Sequence, residues 1–380
     1  MKKILHIIAK LSPGGTELKL LELIKNTKSD FHHEILVISN SDSELLELFK
    51  KEDVKVSNLN IFKISSLILS LAYLNRNYRN SSFNLIVGWL YHGNFLTLLI
   101  QFIQKEKSKV VWNIRSSTSA LKNSPIHRKI ITKILNFYSR KISSIIYNSL
   151  DSKSEHREIG FENDKTIIIE NGIDTNKFQK DPNAKKIFCK NYNIPPENFI
   201  VGIAARNHPI KNYDLFLSSV LQVLEKNLNI TCLICGTDTE NLKKDFFDKN
   251  ASKKIYEGNF LFLGFKENMP FYYSVMDLLV LTSDSESSSN VIAEAMSCEC
   301  LAVSTDVGNS KKLIDDESFI IGNKNEELKI VNLTNKILEL SNAKNGKVEK
   351  IRARNRRRIK DKFSLKKMII SFKDVFNDLS

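Results

Sequence analysis

The chain has 380 residues, 42% of them hydrophobic and 26% charged, which is enough for two cores of ordinary size and excludes a disordered polymer. The net charge is +14, and residues 1–180 hold 27 Lys and Arg against 17 Asp and Glu, so the first half is the more basic. Five cysteines leave one unpaired in any full disulfide scheme, and no apolar leader with a small-residue cleavage site opens the chain; both favour a reducing cytoplasm.

Apolar, β-rich runs alternate with segments of helical period. In the first half they fall at residues 4–8, 34–38, 85–87, 110–113, 142–147 and 167–169. That is the rhythm of parallel βα units. Residues 83–104 carry no Asp, Glu, Lys or Arg. Gly88, His92, Gly93 and Asn94 divide that stretch into a buried strand, a loop and an apolar helix rather than a membrane span. Residues 105–141 follow with ten basic side chains and one acid, Glu106. Such a run suits an anionic lipid surface or a polyanion, at about 1 kcal/mol per basic side chain, and it equally suits a solvated helix face. Pro182, Pro195 and Pro196 then break the rhythm, which sets a boundary there, between a first domain over 1–185 and a second over 186–360.

The second half repeats the pattern at 199–204, 230–235, 260–265, 278–281, 301–304 and 319–321, with a helix over 214–225. From about Glu326 the chain reads as all helical, and 365–379 has apolar residues at helical spacing. The fold expected is α/β, two Rossmann-like parallel-sheet domains facing a central cleft, with a C-terminal helix over 361–380 crossing back onto the first. Open sheets of this kind bind ligands beyond the carboxyl ends of their strands.

Three segments carry chemistry. Strand 4–8 runs into Pro13-Gly14-Gly15 and a helix starting near Thr16; two glycines let the backbone approach a ligand, and the helix start offers free amides to a phosphate. Gly202-Ile-Ala-Ala-Arg206 through Lys211 follows a strand, and a guanidinium with an ammonium makes a clamp for a diphosphate or two ordinary surface cations. In the third, a strand delivers Glu286 to a polar turn, and a helix starting near Asn290 and Val291 carries Glu294 about one turn inside. Carboxylates there accept sugar hydroxyls while amides hold phosphate oxygens; as structure alone, they are a loop acid and a helix acid. Cys232-x-x-Cys235 with Cys298-x-Cys300 is a poor zinc site, because strand positions three apart point to opposite faces. The charge accompanies no nucleic-acid recognition motif, so no nucleic-acid partner is expected.

With these segments in place the chain resembles the retaining nucleotide-sugar glycosyltransferases of family 4, of GT-B fold, and among them the bacterial capsule, O-antigen and exopolysaccharide enzymes. The match is carried by Gly14-Gly15-Thr16-Glu17, Gly88-Trp89-Leu90-Tyr91-His92, Trp112-Asn113-Ile114-Arg115, Asn171-Gly172-Ile173-Asp174 with Phe178, Ala205 to Pro209 with Lys211, Leu263-Gly264, Glu286 to Glu294 with Ala295-Met296, and Thr305 to Gly308.

The resemblance implies that Glu294 holds the ribose, Glu286 the donor sugar, and Arg206 with Lys211 the phosphates, beside amides at Asn290 and Val291. It further implies that the Gly14-Gly15 turn closes over the diphosphate, that His92 lies beside the donor sugar, and that backbone near Phe265 and Lys266 meets the base. Glu17 and Arg115 fall on the acceptor side. Where family members have glycine after the first glutamate, Ser287-Ser288-Ser289 stand here, and serine tolerates a positive φ less well. Cys298-Glu299-Cys300 likewise replaces a glycine-containing turn.

The implied activity is transfer of a hexosyl group with retention, from a nucleotide diphosphate sugar, UDP-linked above all, to a glycan or lipid-linked oligosaccharide acceptor. The chain has no Asp-x-Asp, so no metal and no cofactor are expected: Arg206, Lys211 and helix amides stand in for the cation. Docking of the basic first domain on the inner face of the plasma membrane is a further expectation. The rival readings are a sugar-nucleotide epimerase of the same architecture and a catalytically silent homologue.

Overall fold

A computed structural model of the chain describes residues 1–12, 14–39, 41–59, 64–122, 124–322 and 325–380, the side chains of 64–68, 120, 122 and 345 excepted. These form two compact units, Met1–Gly172 with Lys366–Ser380, and Ile173–Leu365. The division falls ahead of the 185/186 boundary that the prolines suggest. Ile173 explains it: the residue is buried in the second unit's core and exchanges backbone hydrogen bonds with Phe363 and Leu365.

The first unit runs β1 (Lys2–Ile8), α1 (Gly15–Lys25), β2 (Phe31–Val37), α2 (Ser43–Lys51), β3 (Lys55–Asn58), α3 (Ile64–Tyr78), β4 (Leu85–Trp89), α4 (Leu90–Ile103), β5 (Lys109–Ile114), α5 (Ser119–Lys122), α6 (Ile126–Tyr138), β6 (Ser144–Tyr147), α7 (Leu150–Glu158) and β7 (Thr166–Ile168). Among the described residues its strands form one parallel sheet in the order β3-β2-β1-β4-β5-β6-β7. The uncharged stretch 83–104 is the buried β4 and the helix α4, and no helix of the described residues is long and apolar enough to cross a membrane. The loop expected between them is absent: α4 starts at Leu90, which takes φ +61°, so His92 lies in a first helical turn. Gly93 permits that start, because a Cβ there would sit 2.3 Å from the Ile7 carbonyl oxygen.

The second unit runs α8 (Ala184–Tyr192), β8 (Phe199–Ala204), α9 (Tyr213–Leu224), β9 (Ile230–Cys235), α10 (Glu240–Lys249), β10 (Phe260–Phe262), α11 (Met269–Val275), β11 (Leu278–Leu281), α12 (Asn290–Ser297), β12 (Leu301–Thr305), α13 (Ser310–Ile314), β13 (Ile320–Ile321), α14 (Glu326–Ser341) and α15 (Asn345–Lys362). Its described strands form a parallel sheet in the order β10-β9-β8-β11-β12-β13. Both faces of that sheet are packed. Cys232 joins Val201 and Leu278 in one core cluster, whereas Cys235 joins Tyr273 and Leu279 in another, so the two thiols lie on opposite faces. Residues 263–265, expected as strand, lie beyond the end of β10: Leu263 and Gly264 still bond to the Ile234 carbonyl and the Gly236 amide, but Gly264 at φ +67° breaks the regular ladder.

The last helix, α16 (Leu365–Leu379), closes the first unit. Met368, Ile369, Phe372, Val375 and Phe376 make its buried stripe; Phe372 stacks on Trp89, Phe376 meets Phe31 edge-on, and Lys373 pairs with Asp30 at 2.5 Å. Beneath it lies a directional hydrogen-bond chain. The Trp89 indole can only donate, and it donates to His6 Nδ1 at 3.2 Å. His6 Nε2–H must then donate to His33 Nδ1, at 2.9 Å, and His33 Nε2–H to Thr27 Oγ1, at 2.9 Å, which donates to the Leu23 carbonyl. Both rings are therefore neutral, and burial pushes His33 down to about 4.

The unfolded chain binds a proton on this histidine near pH 6.5, while the folded ring resists until about 4. Stability is thus full above pH 6.5 and drains as pH falls toward 4, by about 3 kcal/mol for this residue alone. Trp89 and Trp112, the two tryptophans of the chain, both report on the first unit. Urea midpoints followed by their fluorescence should fall steeply between pH 7 and pH 4.5; a flat profile would contradict the neutral chain.

Candidate active site

Because each sheet is parallel, the loops after its strands gather at one edge. In the second unit, β8 releases loop 205–212 there. The Asn207 amide donates to the Thr237 carbonyl at 2.9 Å, Thr282 Oγ1 donates to the Lys211 carbonyl at 2.8 Å, and the Asp284 amide donates to the Ile210 carbonyl at 2.8 Å. Asn212, at φ +46°, caps α9 and extends its amide to Asp284 and Glu326. This lacing binds the loop to the turn after β11. Lys211 Nζ consequently lies 2.6 Å from Glu286 Oε1, an oxygen that also accepts from Ser283 Oγ at 2.8 Å. Both partners are largely shielded from solvent, so this pair is less screened than an exposed one. Arg206 stands exposed on the same loop.

Ser289 occupies the N-cap of α12, and its first turn, opened by Asn290 and Val291, holds no acid. Glu294 lies one turn further along and accepts from the buried Tyr273 hydroxyl at 2.9 Å. Tyr273, on α11, was not singled out from the sequence, nor were Asn309 and Ser310, which hold the serine turn. The Ser289 amide donates to Asn309 Oδ1 at 2.9 Å, Asn309 Nδ2 to Ser288 Oγ at 3.3 Å, and the Ser289 and Ser310 hydroxyls lie 3.0 Å apart. None of Ser287, Ser288 and Ser289 has a positive φ; that conformation falls on Gly308, where a Cβ would approach the Glu286 carbonyl to 2.7 Å. Serine in place of glycine therefore carries no backbone strain here. Glu299, by contrast, does sit at φ +60° between two buried thiols. Phe265 is exposed and Lys266 half-buried beyond Gly264, whose carbonyl accepts from the Gly236 amide.

In the first unit, Gly14 is the N-cap of α1 and Gly15 its first residue. Glu17 folds back on this turn, with Oε2 2.6 Å from where a Gly14 Cβ would stand, and burial raises its carboxyl above the usual range. Arg115 follows β5, is buried over the Trp89 ring, and donates to Asn171 and Asn113; burial pulls its guanidinium down to about 10. His92, after β4, is half-buried, and burial together with Arg128 and His127 lowers it from its ordinary value. The structure thus joins Lys211 to Glu286 and gathers Gly14, His92 and Arg115 at the carboxyl edge of the first sheet.

The two parallel sheets, of seven and six strands among the described residues, share the GT-B fold of solved glycosyltransferases. Within that class the chain belongs to the glycosyltransferases of family 4: the glycosyltransferase family 4 model matches residues 13–177 and the glycosyl transferases group 1 model residues 185–358. It is similar to the O-antigen biosynthesis glycosyltransferase WclY of Escherichia coli, 22% identical over 99% of this chain and 98% of that one. It is also similar to the capsular polysaccharide biosynthesis glycosyltransferase CapH of Staphylococcus aureus, 22% identical over 84% and 86%. Among solved structures, Anabaena HepE in complex with UDP-glucose shares the fold at a TM-score of 0.81, with 19% identity over 100% of both chains.

Tyr273→Phe removes the hydroxyl that Glu294 accepts from and leaves a shielded carboxylate short of a donor. It should cost about 1–3 kcal/mol of stability, measured by urea unfolding of the second unit; no loss would mean that the bond is dispensable.

Proposed function

We propose that this glycosyltransferase takes a hexose from a UDP-sugar, with retention of configuration and without a metal, and adds it to a glycan or lipid-linked oligosaccharide of a surface polysaccharide. The observation that carries the reading is the Lys211–Glu286 contact at the sheet's carboxyl edge, beside the amino end of α12, in a chain that both family models match. O-antigen and capsule biosynthesis in the two relatives supports the acceptor class, and the UDP-glucose complex of the structural neighbour supports the donor class.

Breaking the bond between the anomeric carbon and phosphate builds negative charge on the leaving diphosphate and positive charge on the ring. Arg206, Lys211 and the amides at Asn290 and Val291 neutralise the diphosphate, while Phe265 and Lys266 flank the base. An ammonium has three donors, and the bond to Glu286 occupies one. That bond also fixes Glu286, which accepts the donor sugar's hydroxyls, and Tyr273 fixes Glu294 for the ribose. In the first unit, the family resemblance assigns Gly14 and Gly15 to the diphosphate, His92 to the sugar, and Glu17 and Arg115 to the acceptor. The acceptor hydroxyl attacks on the leaving-group face and gives its proton to a phosphate oxygen, so no protein nucleophile takes part.

The first unit also displays Ile126, Ile130 and Phe137 to solvent among Lys129, Lys133, Arg140 and Lys141. Apolar side chains ringed by lysine and arginine suit an anionic membrane surface.

Arg206→Ala and Lys211→Ala should each lower kcat by about 10² to 10³, read as UDP release from UDP-sugar with a lipid-linked acceptor, and the rate should survive EDTA. Loss of activity in EDTA would overturn the metal-free reading. UDP-sugar binding with no release for any acceptor would favour a silent homologue.

A further inference from the structure

Helix α15 carries Arg352, Arg354, Arg356, Arg357 and Arg358 within seven residues. A run of that kind suits a polyanion in solution, yet three of the five guanidinium groups turn inward. Arg352 reaches Asp277 at 3.2 Å, and Arg356 donates to the Ser297 carbonyl and, at 3.3 Å, to the Phe178 carbonyl. Arg358 donates to the Lys312 and Leu313 carbonyls at 2.5 and 2.9 Å and pairs with Asp315.

Arg356 and Arg358 thereby cap two helices from outside. Ser297 is the last residue of α12, and Lys312 and Leu313 lie in the last turn of the short helix α13. A helix leaves its final carbonyls without intrahelical partners and carries partial negative charge there, so a guanidinium is a favoured neighbour. Both helices begin at the site. Ser289 is the N-cap of α12, and α13 opens with Ser310, whose hydroxyl lies 3.0 Å from that of Ser289. The eight residues of α12 span roughly 12 Å, so a shift at its carboxyl end is carried to its amino end.

A second path joins Arg356 to Glu294. The Phe178 carbonyl also accepts from Ser297 Oγ at 2.5 Å, and the Phe178 ring packs 6.3 Å from that of Tyr273. Tyr273 in turn donates to Glu294 at 2.9 Å. Backbone, ring and hydroxyl thus connect an arginine on α15 to a carboxylate in the middle of α12.

We propose that Arg356 and Arg358 are positioning residues of the donor site. They act through two helices rather than on the ligand: by holding the carboxyl ends of α12 and α13 they set where the amides at Asn290 and Val291 and the carboxylate of Glu294 meet the nucleotide. The inference rests on the nucleotide-sugar reading above and goes beyond it, since it gives the arginine run of α15 a part in donor binding.

The test is calorimetric titration of the full chain with UDP and with 2′-deoxy-UDP, at a temperature where circular dichroism shows each variant folded. A carboxylate held in place for the ribose distinguishes the two nucleotides, and the wild type should prefer UDP by about tenfold or more. Arg356→Gln and Arg358→Gln should each weaken UDP about tenfold and bring that preference below about threefold. Arg357→Gln removes an equal charge from the exposed face and should change neither. Lower thermal stability with UDP affinity and preference intact would make the two arginines structural only, and an equal loss in Arg357→Gln would point to the general field of charge; each overturns the proposal. Should Arg356→Gln not fold, Arg358→Gln carries the same comparison. Should the wild type bind no UDP, the donor reading fails, and hydrogen exchange of the free chain decides the mechanical claim. Exchange in the two variants should then rise about tenfold at residues 289–292 as well as at 296–300, and fraying confined to the carboxyl end would overturn it.

Discussion

All the strands of each sheet run the same way, and that constraint governs the rest. A parallel strand cannot return through a tight hairpin, so strand ends hand the chain, directly or through a loop, to helices on one edge. Residues far apart in sequence are thereby delivered together: loop 205–212 and turn 282–289 are neighbours because β8 pairs with β11. The sheet brings the two segments close, and the polar lacing of Asn212, Asp284 and Thr282 then sets the register that joins an ammonium to a carboxylate.

Burial makes these polar contacts consequential. Among its described residues the first unit buries three histidines, two indole N–H groups and a guanidinium, groups that cost several kcal/mol each when left without partners. The ring chain from Trp89 to Thr27 satisfies its members in a single direction, so no ring has a second choice of tautomer. The same economy holds around the serine turn, where Asn309 both accepts from an amide and donates to a hydroxyl.

Strands β8, β9 and β11 could be read from the sequence to the residue, because a strand packed on both faces is an unbroken apolar run. Strand β3 could not: Lys55-Val-Ser-Asn58 is a polar edge strand whose pairing with β2 is the only reason it extends. The start of α4 was hidden by glycine and asparagine, residues that ordinarily mark a loop but here allow close packing on β1. At the site, residue types at the strand ends were legible, as were Glu286 and Lys211 as a carboxylate and a cation. Their contact was not, since it depends on hydrogen bonds between segments about seventy residues apart. Tyr273 was invisible for the same reason: on α11 it reads as one more core aromatic.

The position of α16 has a consequence for how the protein is made. The first unit's core includes Phe372 and Phe376, which leave the ribosome after every residue of the second unit. Synthesis order and folding order are therefore inverted: the segment translated first must wait, with Trp89 and Phe31 uncovered, while the segment 173–365 has its whole core in hand. Over that interval the nascent sheet is the aggregation-prone part, and a chain released a few residues early would carry one finished half and one that never closes.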